Sequence, residues 1–210
     1  MKEVVLKMSA TDLIGEVLQR YHVIDHKIKI FRVRTGLRCP LGCGICCDST
    51  RVEASVLECL PLAWEIFRRR KEERISLAVE DNQREADSRC VLFCSDEGAA
   101  GLGRCSYYPF RPLVCRLFGY AARRDKTGRP ELRLCKVMRE QSSENSILSN
   151  LPDTHHMDPP VYQDCFLQIA SIDPAKGFRL SPINAALKAA LDYVYWQCPE
   201  GRFPRRRKAA

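Results

Sequence analysis

Four cysteines fall within nine residues, in the run Cys39-Pro-Leu-Gly-Cys43-Gly-Ile-Cys46-Cys47. An even spread of the 12 cysteines over 210 residues would leave such a window with fewer than one. The thiolate form of cysteine is both a nucleophile and a soft metal ligand. Gaps of two or three residues let several thiolates converge on one centre if the backbone curls tightly. Gly42 and Gly44 permit that curl and let amide N–H groups face sulfur. Cys46 and Cys47 are adjacent, and neighbouring side chains usually diverge. One compact site holds both only on a bent backbone; otherwise one ligates while the other packs, or two centres exist.

A second set is spread out: Cys90, Cys105, Cys115 and Cys135. Cys105 and Cys115 bracket Ser106-Tyr-Tyr-Pro-Phe-Arg-Pro-Leu-Val114, in which Pro112 stiffens the chain. Arg104, Arg111 and Arg116 flank these thiols and can offset their negative charge; solvated surface arginines are the plainer reading. Clustered thiols in a reducing compartment point to metal or redox centres rather than disulfides. Structural zinc prefers two hooks of paired cysteines, whereas runs with short gaps are more usual around iron–sulfur clusters. The ligand logic favours [4Fe–4S] over zinc.

Cys59, Cys94, Cys165 and Cys198 fall outside both sets. Cys59 and Cys198 read as small buried hydrophobes. Cys94, four residues after Cys90, is the best substitute ligand, and Cys165 is a weaker one. His155 and His156 suit metal binding or proton transfer, or simply a polar approach to a helix. Tyr107 and Tyr108 are lids over the centre or ordinary core. There is no phosphate loop, nucleophile elbow, His-Glu-x-x-His or dinucleotide fingerprint, so no catalytic residue is assigned.

The chain resembles the YkgJ-like CxxCxxCC cysteine-cluster family, described as zinc- or iron-chelating. Gly44-Ile-Cys46-Cys47 matches its first element, and Cys90-Val-Leu-Phe93 is similar to the second. Cys105-Ser-Tyr-Tyr108-Pro-Phe-Arg111-Pro112-Leu-Val-Cys115-Arg116-Leu-Phe118 matches the third closely, and Cys135 suits the last. The likeness covers about residues 30–140. It implies eight metal ligands: Cys39, Cys43, Cys46, Cys47, Cys90, Cys105, Cys115 and Cys135. The family usually has two residues between its first two cysteines, and Pro40-Leu41-Gly42 makes three here. That insertion creates Cys39-x3-Cys43-x2-Cys46, the spacing of radical S-adenosylmethionine enzymes. Those enzymes usually need a β/α-barrel, and no string of alternating strands and helices is visible. A flagellin lysine methylase with a related cluster implies that such a centre can work with S-adenosylmethionine. An S-adenosylmethionine-dependent iron–sulfur enzyme is therefore the alternative to a redox or cofactor-support protein. A structural zinc interaction module is the third reading.

The elements that must position these thiols read as mainly α: helices around an irregular cysteine-rich metal-binding centre, with few or no short strands. Ser9–Tyr21 is a helix, with Ser9 and Asp12 in a capping-box pattern and Leu13, Ile14, Val17, Leu18 and Tyr21 at helical spacing. Lys27–Val33 alternates and reads as a short strand, Ile28 and Ile30 against Lys29 and Phe31. Ser55–Arg70 is a helix that carries Leu57, Leu60, Trp64 and Phe67 on one face; Pro61 kinks it or marks its start. Leu77–Ser88 is a polar helix. Cys90–Tyr120 is rich in glycine and proline, and metal clamping would explain so long a loop. Arg129–Asn145 continues into a helix. Asp158 caps another that runs to about Ile172, and Ser181 with Pro182 starts the last, which carries Ile183, Leu187, Leu191, Val194 and Tyr195 on one face.

The expected organisation is an N-terminal helical segment (1–30), a cysteine-cluster domain (31–140), a C-terminal helical extension packed on it (141–200) and a basic flexible tail (201–210). Hydrophobic residues at 45% and charged residues at 29% are ordinary for a globular protein and exclude bulk disorder. The net charge of +8 owes five positives to Arg202, Arg205, Arg206, Arg207 and Lys208, so the body is only mildly basic. Nucleic acid is therefore not the expected partner; an unidentified protein or redox partner is. No apolar run is long enough for a transmembrane helix. With no signal-peptide pattern at Met1–Asp12, a cytoplasmic location is expected.

Overall fold

Ser9 and Asp12 start the first helix as expected: the Ser9 hydroxyl accepts from the Asp12 amide at 3.2 Å, and the Asp12 carboxylate accepts back from the Ser9 amide. In the computed structural model, which describes residues 8–85, 88–96, 102–144 and 158–197, this helix is α1, Ala10–Thr35. It runs straight through the stretch read as a strand. Ile24, Ile28, Phe31 and Thr35 extend the buried stripe of Leu13, Ile14, Val17 and Tyr21 at helical spacing. Ile30, which a strand would place beside Ile28, is exposed. Four buried positions at a period near 3.6 outweigh a short alternation. Gly36, left-handed at φ 71°, ends the helix.

The chain then forms the cysteine loop and enters β1, Glu53–Ser55, and α2, Val56–Arg68. A capping box fixes this helix start: Ser55 and Glu58 exchange hydrogen bonds. Pro61 lies inside α2 and does not begin it. The helix α3, Glu72–Arg84, starts five residues before the expected Leu77 and buries only Val79. The loop-rich middle contains an antiparallel pair, β2 (Phe93–Ser95) with β3 (Gly103–Cys105), then a 3-10 turn at Tyr108–Phe110 and the short helix α4, Leu113–Leu117. A second antiparallel pair, β4 (Ala122–Arg124) with β5 (Pro130–Leu132), precedes α5, Lys136–Glu144.

Next come α6 (Tyr162–Ala170), α7 (Pro174–Gly177), β6 (Leu180–Pro182) and α8 (Ile183–Gln197). Two expected helix starts differ. Val161, not Asp158, is the N-cap of α6; Asp158 has φ 44° and its carboxylate meets Lys27 Nζ at 3.2 Å. Ser181 and Pro182 belong to β6, which pairs antiparallel with β1 in the register Glu53↔Pro182. The Ile183 amide then donates to the Val52 carbonyl at 2.9 Å, so cross-strand pairing replaces a cap. Ile183, Leu187, Leu191 and Val194 are buried on α8, whereas Tyr195 is exposed.

The fold is mainly α, with strands in three separate two-stranded pairs among the described residues. Its centre is α2, which packs against both α1 and α8. One apolar core runs from Ala10 through Leu57, Leu60 and Ile66 to Leu187 and Val194. The cysteine-bearing loops lie against this helical base. Among the described residues no helix is long and apolar enough to cross a membrane. His155, His156, Cys198 and the basic tail lie outside the described residues.

Candidate metal centre

The first cysteine loop is shaped by turns. The Cys43 amide donates to the Pro40 carbonyl at 3.2 Å, and the Cys47 and Asp48 amides both donate to the Gly44 carbonyl, at 2.8 and 2.9 Å. Gly42, at φ 74°, supplies the left-handed step between Cys39 and Cys43. The loop is anchored at both ends. The Tyr120 hydroxyl accepts from the Cys39 amide at 2.8 Å. At the other side Cys43 bridges to Leu102, and the Gly103 amide donates to the Gly42 carbonyl at 2.9 Å.

That second contact lays the loop on the β2–β3 hairpin, which carries Cys105 opposite Phe93. The Phe93 ring fills the space between the layers. A Cβ on Gly44 would sit 2.6 Å from it, and one on Gly103 would sit 2.5 Å away. Small residues are what allow the two chains this close. Cys90 precedes the hairpin, and its carbonyl accepts from the Phe93 amide at 2.9 Å.

Cys115 sits on α4, which is held from three sides. Glu58, buried at the start of α2, accepts from the Leu113 amide at 3.0 Å. Arg116 is 2% exposed, lies 4.0 Å over the Tyr21 ring and donates to Asp25 Oδ2 and to the Pro109 carbonyl, each at 2.5 Å. Arg111 donates through Nε to the Cys115 carbonyl at 3.2 Å while its guanidinium stacks on the Tyr108 ring at 3.8 Å. Cys135 precedes α5; its sulfur accepts from the Met138 amide at 3.4 Å, and a Cβ on Gly119 would be 3.6 Å from it.

These segments bring the thiols into mutual influence. Cys46 Sγ and Cys47 Sγ are 3.9 Å apart. Cys46 is pulled down to about 7, first by the hydrogen bond it shares with Cys47 and then, against burial, by backbone donors and the Arg111 charge. Cys47 is pushed up because it keeps the shared proton and is partly buried. Burial pushes Cys39 to about 11, reinforced by Cys43, Cys46 and Cys135. Burial likewise raises Cys90 to about 11, with Cys105 adding to it. Cys115 is raised by burial and then by Cys90, Cys105 and Cys46. Burial also raises Cys105, with Arg111 opposing. All eight expected cysteines appear in these relationships, and Cys46 is common to both halves. Without a cation, so many neighbouring thiols resist ionising together.

The geometry sorts the other expectations. Of the three arginines, Arg111 faces the thiols, Arg116 is spent on Asp25, and Arg104 is exposed. Cys59 is fully buried in α2, beside Cys90 and Cys115, and Cys165 is buried in the core. Cys94 is exposed on β2 near Cys105. Tyr107 is buried under Arg69, while Tyr108 is exposed and carries Arg111. Two supporting residues were not foreseen. Glu58 was signalled by the Ser-x-x-Glu pattern at Ser55. Tyr120, two residues past Phe118, has no local sequence signal for its reach to Cys39.

A soft, thiol-only donor set suits zinc or iron. A tetrahedral ion with bonds of about 2.3 Å separates two sulfurs by about 3.8 Å, and the Cys46–Cys47 pair stands at 3.9 Å. Among the described residues no three His, Cys, Asp or Glu side chains already share one coordination point. The thiols are neighbours that a cation would have to draw together.

Comparison with curated proteins and with solved structures returned no match. A family model described as CxxCxxCC, "Putative zinc- or iron-chelating domain", matches residues 38–136. That stretch runs from just before Cys39 to just after Cys135 and so contains every expected ligand. Through residues 38–136 the chain is similar to the CxxCxxCC family, whose members carry that zinc- or iron-chelating description.

Proposed function

We propose that this chain chelates iron through Cys39, Cys43, Cys46, Cys47, Cys90, Cys105, Cys115 and Cys135, as an iron–sulfur protein of the [4Fe–4S] type with a redox or cofactor-support role. The observation that supports this reading is the approach of thiols from separate segments: Cys46 stands 3.9 Å from Cys47, and Cys39, Cys105 and Cys115 lie within electrostatic reach of Cys46. Eight thiols exceed the four that either one tetrahedral zinc ion or one [4Fe–4S] cluster takes up, and the short gaps of the first run are the more usual setting for an iron–sulfur cluster. A thiolate-bound cluster supplies one-electron chemistry at a potential set by charge, hydrogen bonds and exposure.

The chain's own residues tune such a site. Arg111 offsets thiolate charge and is held in place by its stack on Tyr108. Phe93 and the backbone of Gly44 and Gly103 form an apolar wall beside the ligands. The fully buried Cys59 closes the side facing α2.

One observation favours a second reading, zinc. The 3.9 Å separation of the Cys46 and Cys47 sulfurs fits two thiolates on a single ion better than two ligands on different irons of a cubane. No observation favours S-adenosylmethionine; the strands pair only two by two among the described residues, with no barrel around the loop.

Anaerobic isolation separates the readings. Brown protein with iron, acid-labile sulfide and visible charge-transfer absorption is expected. Colourless protein with stoichiometric zinc would replace the first reading by the second. Protein with neither metal would overturn both.

A further inference from the structure

Asn184, near the start of α8, is buried at 6% exposure and uses its whole amide. Its Oδ1 accepts from the Val91 amide at 3.1 Å. Its Nδ2 donates to the Arg89 carbonyl at 2.7 Å and to Asn82 Oδ1 on α3 at 2.8 Å. The two backbone groups it grips flank Cys90.

Residues 88–92 lie in neither helix nor strand, so no ladder fixes this stretch. Gripping a carbonyl and the amide two residues later takes an acceptor and a donor on one short side chain. Asparagine provides both; aspartate lacks the donor and leucine lacks both. The same stretch is tied to the first cysteine loop, because the Arg89 guanidinium meets Asp48 Oδ1, next to Cys47, at 3.4 Å. Cys90 is thus held between α8 on one side and the Cys46–Cys47 turn on the other.

We infer that Asn184 is a positioning residue for Cys90: a buried amide on a helix beyond residues 38–136 clamps the backbone on both sides of that cysteine and sets where its thiol meets the others. The consequence for metal retention rests on the chelation reading; the clamp itself does not. Outer-shell partners of metal ligands typically change affinity by about 10- to 100-fold when removed.

The test uses the full chain with Asn184→Leu, Asn184→Asp and, as a milder variant that keeps the clamp on both backbone groups, Asn82→Ala. Val194→Ala, fully buried on the same helix, is the stability control. In metal-free protein, iodoacetamide labelling is followed cysteine by cysteine by peptide mass. Zinc-loaded protein is challenged with a chelator. The two Asn184 variants should label Cys90 about tenfold faster than wild type, with Cys39, Cys43 and Cys135 little changed, and release zinc about tenfold faster. Asn82→Ala should give a smaller change in the same direction. Val194→Ala should lower the melting temperature without singling out Cys90. Wild-type labelling at Cys90 in the Asn184 variants, or an equal rise across all cysteines or in Val194→Ala, would overturn the inference. A wild-type chain that takes up neither zinc nor iron would overturn chelation instead, and the metal-free labelling would still decide the clamp.

Discussion

The Arg116 guanidinium reaches from α4 to the Asp25 carboxylate on α1 across 2.5 Å, and it does so immediately beside Cys115. The guanidinium is buried while the carboxylate is half exposed, so the arginine bears most of the desolvation. The Tyr21 ring beneath it and the Pro109 carbonyl complete its surroundings. A helix of only five residues cannot hold its own geometry; α4, and with it Cys115, is placed by its neighbours.

Replacing Arg116 should therefore cost both stability and metal. Arg116→Ala removes two charge-assisted hydrogen bonds and a cation–π contact, a loss of about 2–4 kcal/mol. Arg116→Lys should recover only part of it, since an ammonium cannot serve both acceptors in a fixed plane. Denaturant unfolding with metal analysis of the same samples checks this; an unchanged midpoint in Arg116→Ala would contradict it.

Glu58 should show what its two acceptor oxygens are worth. Burial raises its carboxyl, against the donors from Ser55 and Leu113. Glu58→Gln has one oxygen where Glu58 uses two, Oε1 for the Ser55 amide and hydroxyl and Oε2 for the Leu113 amide, so it should lose one side and cost about 1–2 kcal/mol. Glu58→Ala leaves that amide and the helix start unpartnered and should cost about 2–3 kcal/mol. A wild-type midpoint in Glu58→Gln would contradict the need for two acceptor oxygens at this position.

Chelation should weaken as pH falls. Cys39 and Cys90, held near 11, must release protons when a cation binds. Zinc affinity should rise at least about tenfold per pH unit through neutral pH, and titrations in buffers of differing ionisation enthalpy should register the released protons. In metal-free protein the raised Cys39 and Cys90 favour the fold below their ordinary range, and that contribution is lost as pH climbs toward about 11. Cys46, drawn down to about 7, works the other way: its contribution is present above its ordinary range and is lost as pH drops through about 7. Cys46 should accordingly be alkylated before Cys47 and Cys115 at neutral pH. A pH-independent zinc affinity would contradict this account.

Gly103→Ala should be among the most damaging single-atom additions. Its Cβ would come within 2.5 Å of both the Cys94 carbonyl and the Phe93 ring, at a backbone φ of 156°. Overpacking of this kind costs about 1–3 kcal/mol, and the shift would fall on the hairpin carrying Cys105. Gly128→Ala has open space around it but sits at φ 84°, so it should show backbone strain without disturbing the cysteines. Comparing metal retention in the two variants distinguishes displacement of the centre from strain alone.

The helices that carry local signals were legible in the sequence. Ser9 with Asp12 starts α1 as its pattern requires, and the Leu57–Leu60 face of α2 is buried. Lys27–Val33 misled because its alternation is short, whereas the buried period of Ile24, Ile28 and Phe31 shows only when the preceding helix is carried forward. Ser181 and Pro182 misled because a local cap signal lost to distant strand partners, Ala54 and Glu53. At the centre, the cysteine spacing marked the stretch that the family model matches, residues 38–136. Tyr120 at the Cys39 amide, Glu58 at the Leu113 amide and Asn184 around Cys90 are long-range hydrogen bonds, for which one sequence carries no local pattern.

The most direct test is metal K-edge X-ray absorption on anaerobically isolated protein. A first shell of sulfur only is expected, at about 2.3 Å, with metal–metal scattering if iron is present as a cluster, and loss of bound metal in Cys46→Ser, Cys47→Ser, Cys105→Ser and Cys115→Ser but not in Cys198→Ser. A shell of nitrogen or oxygen donors, or equal metal content in all five variants, would contradict it.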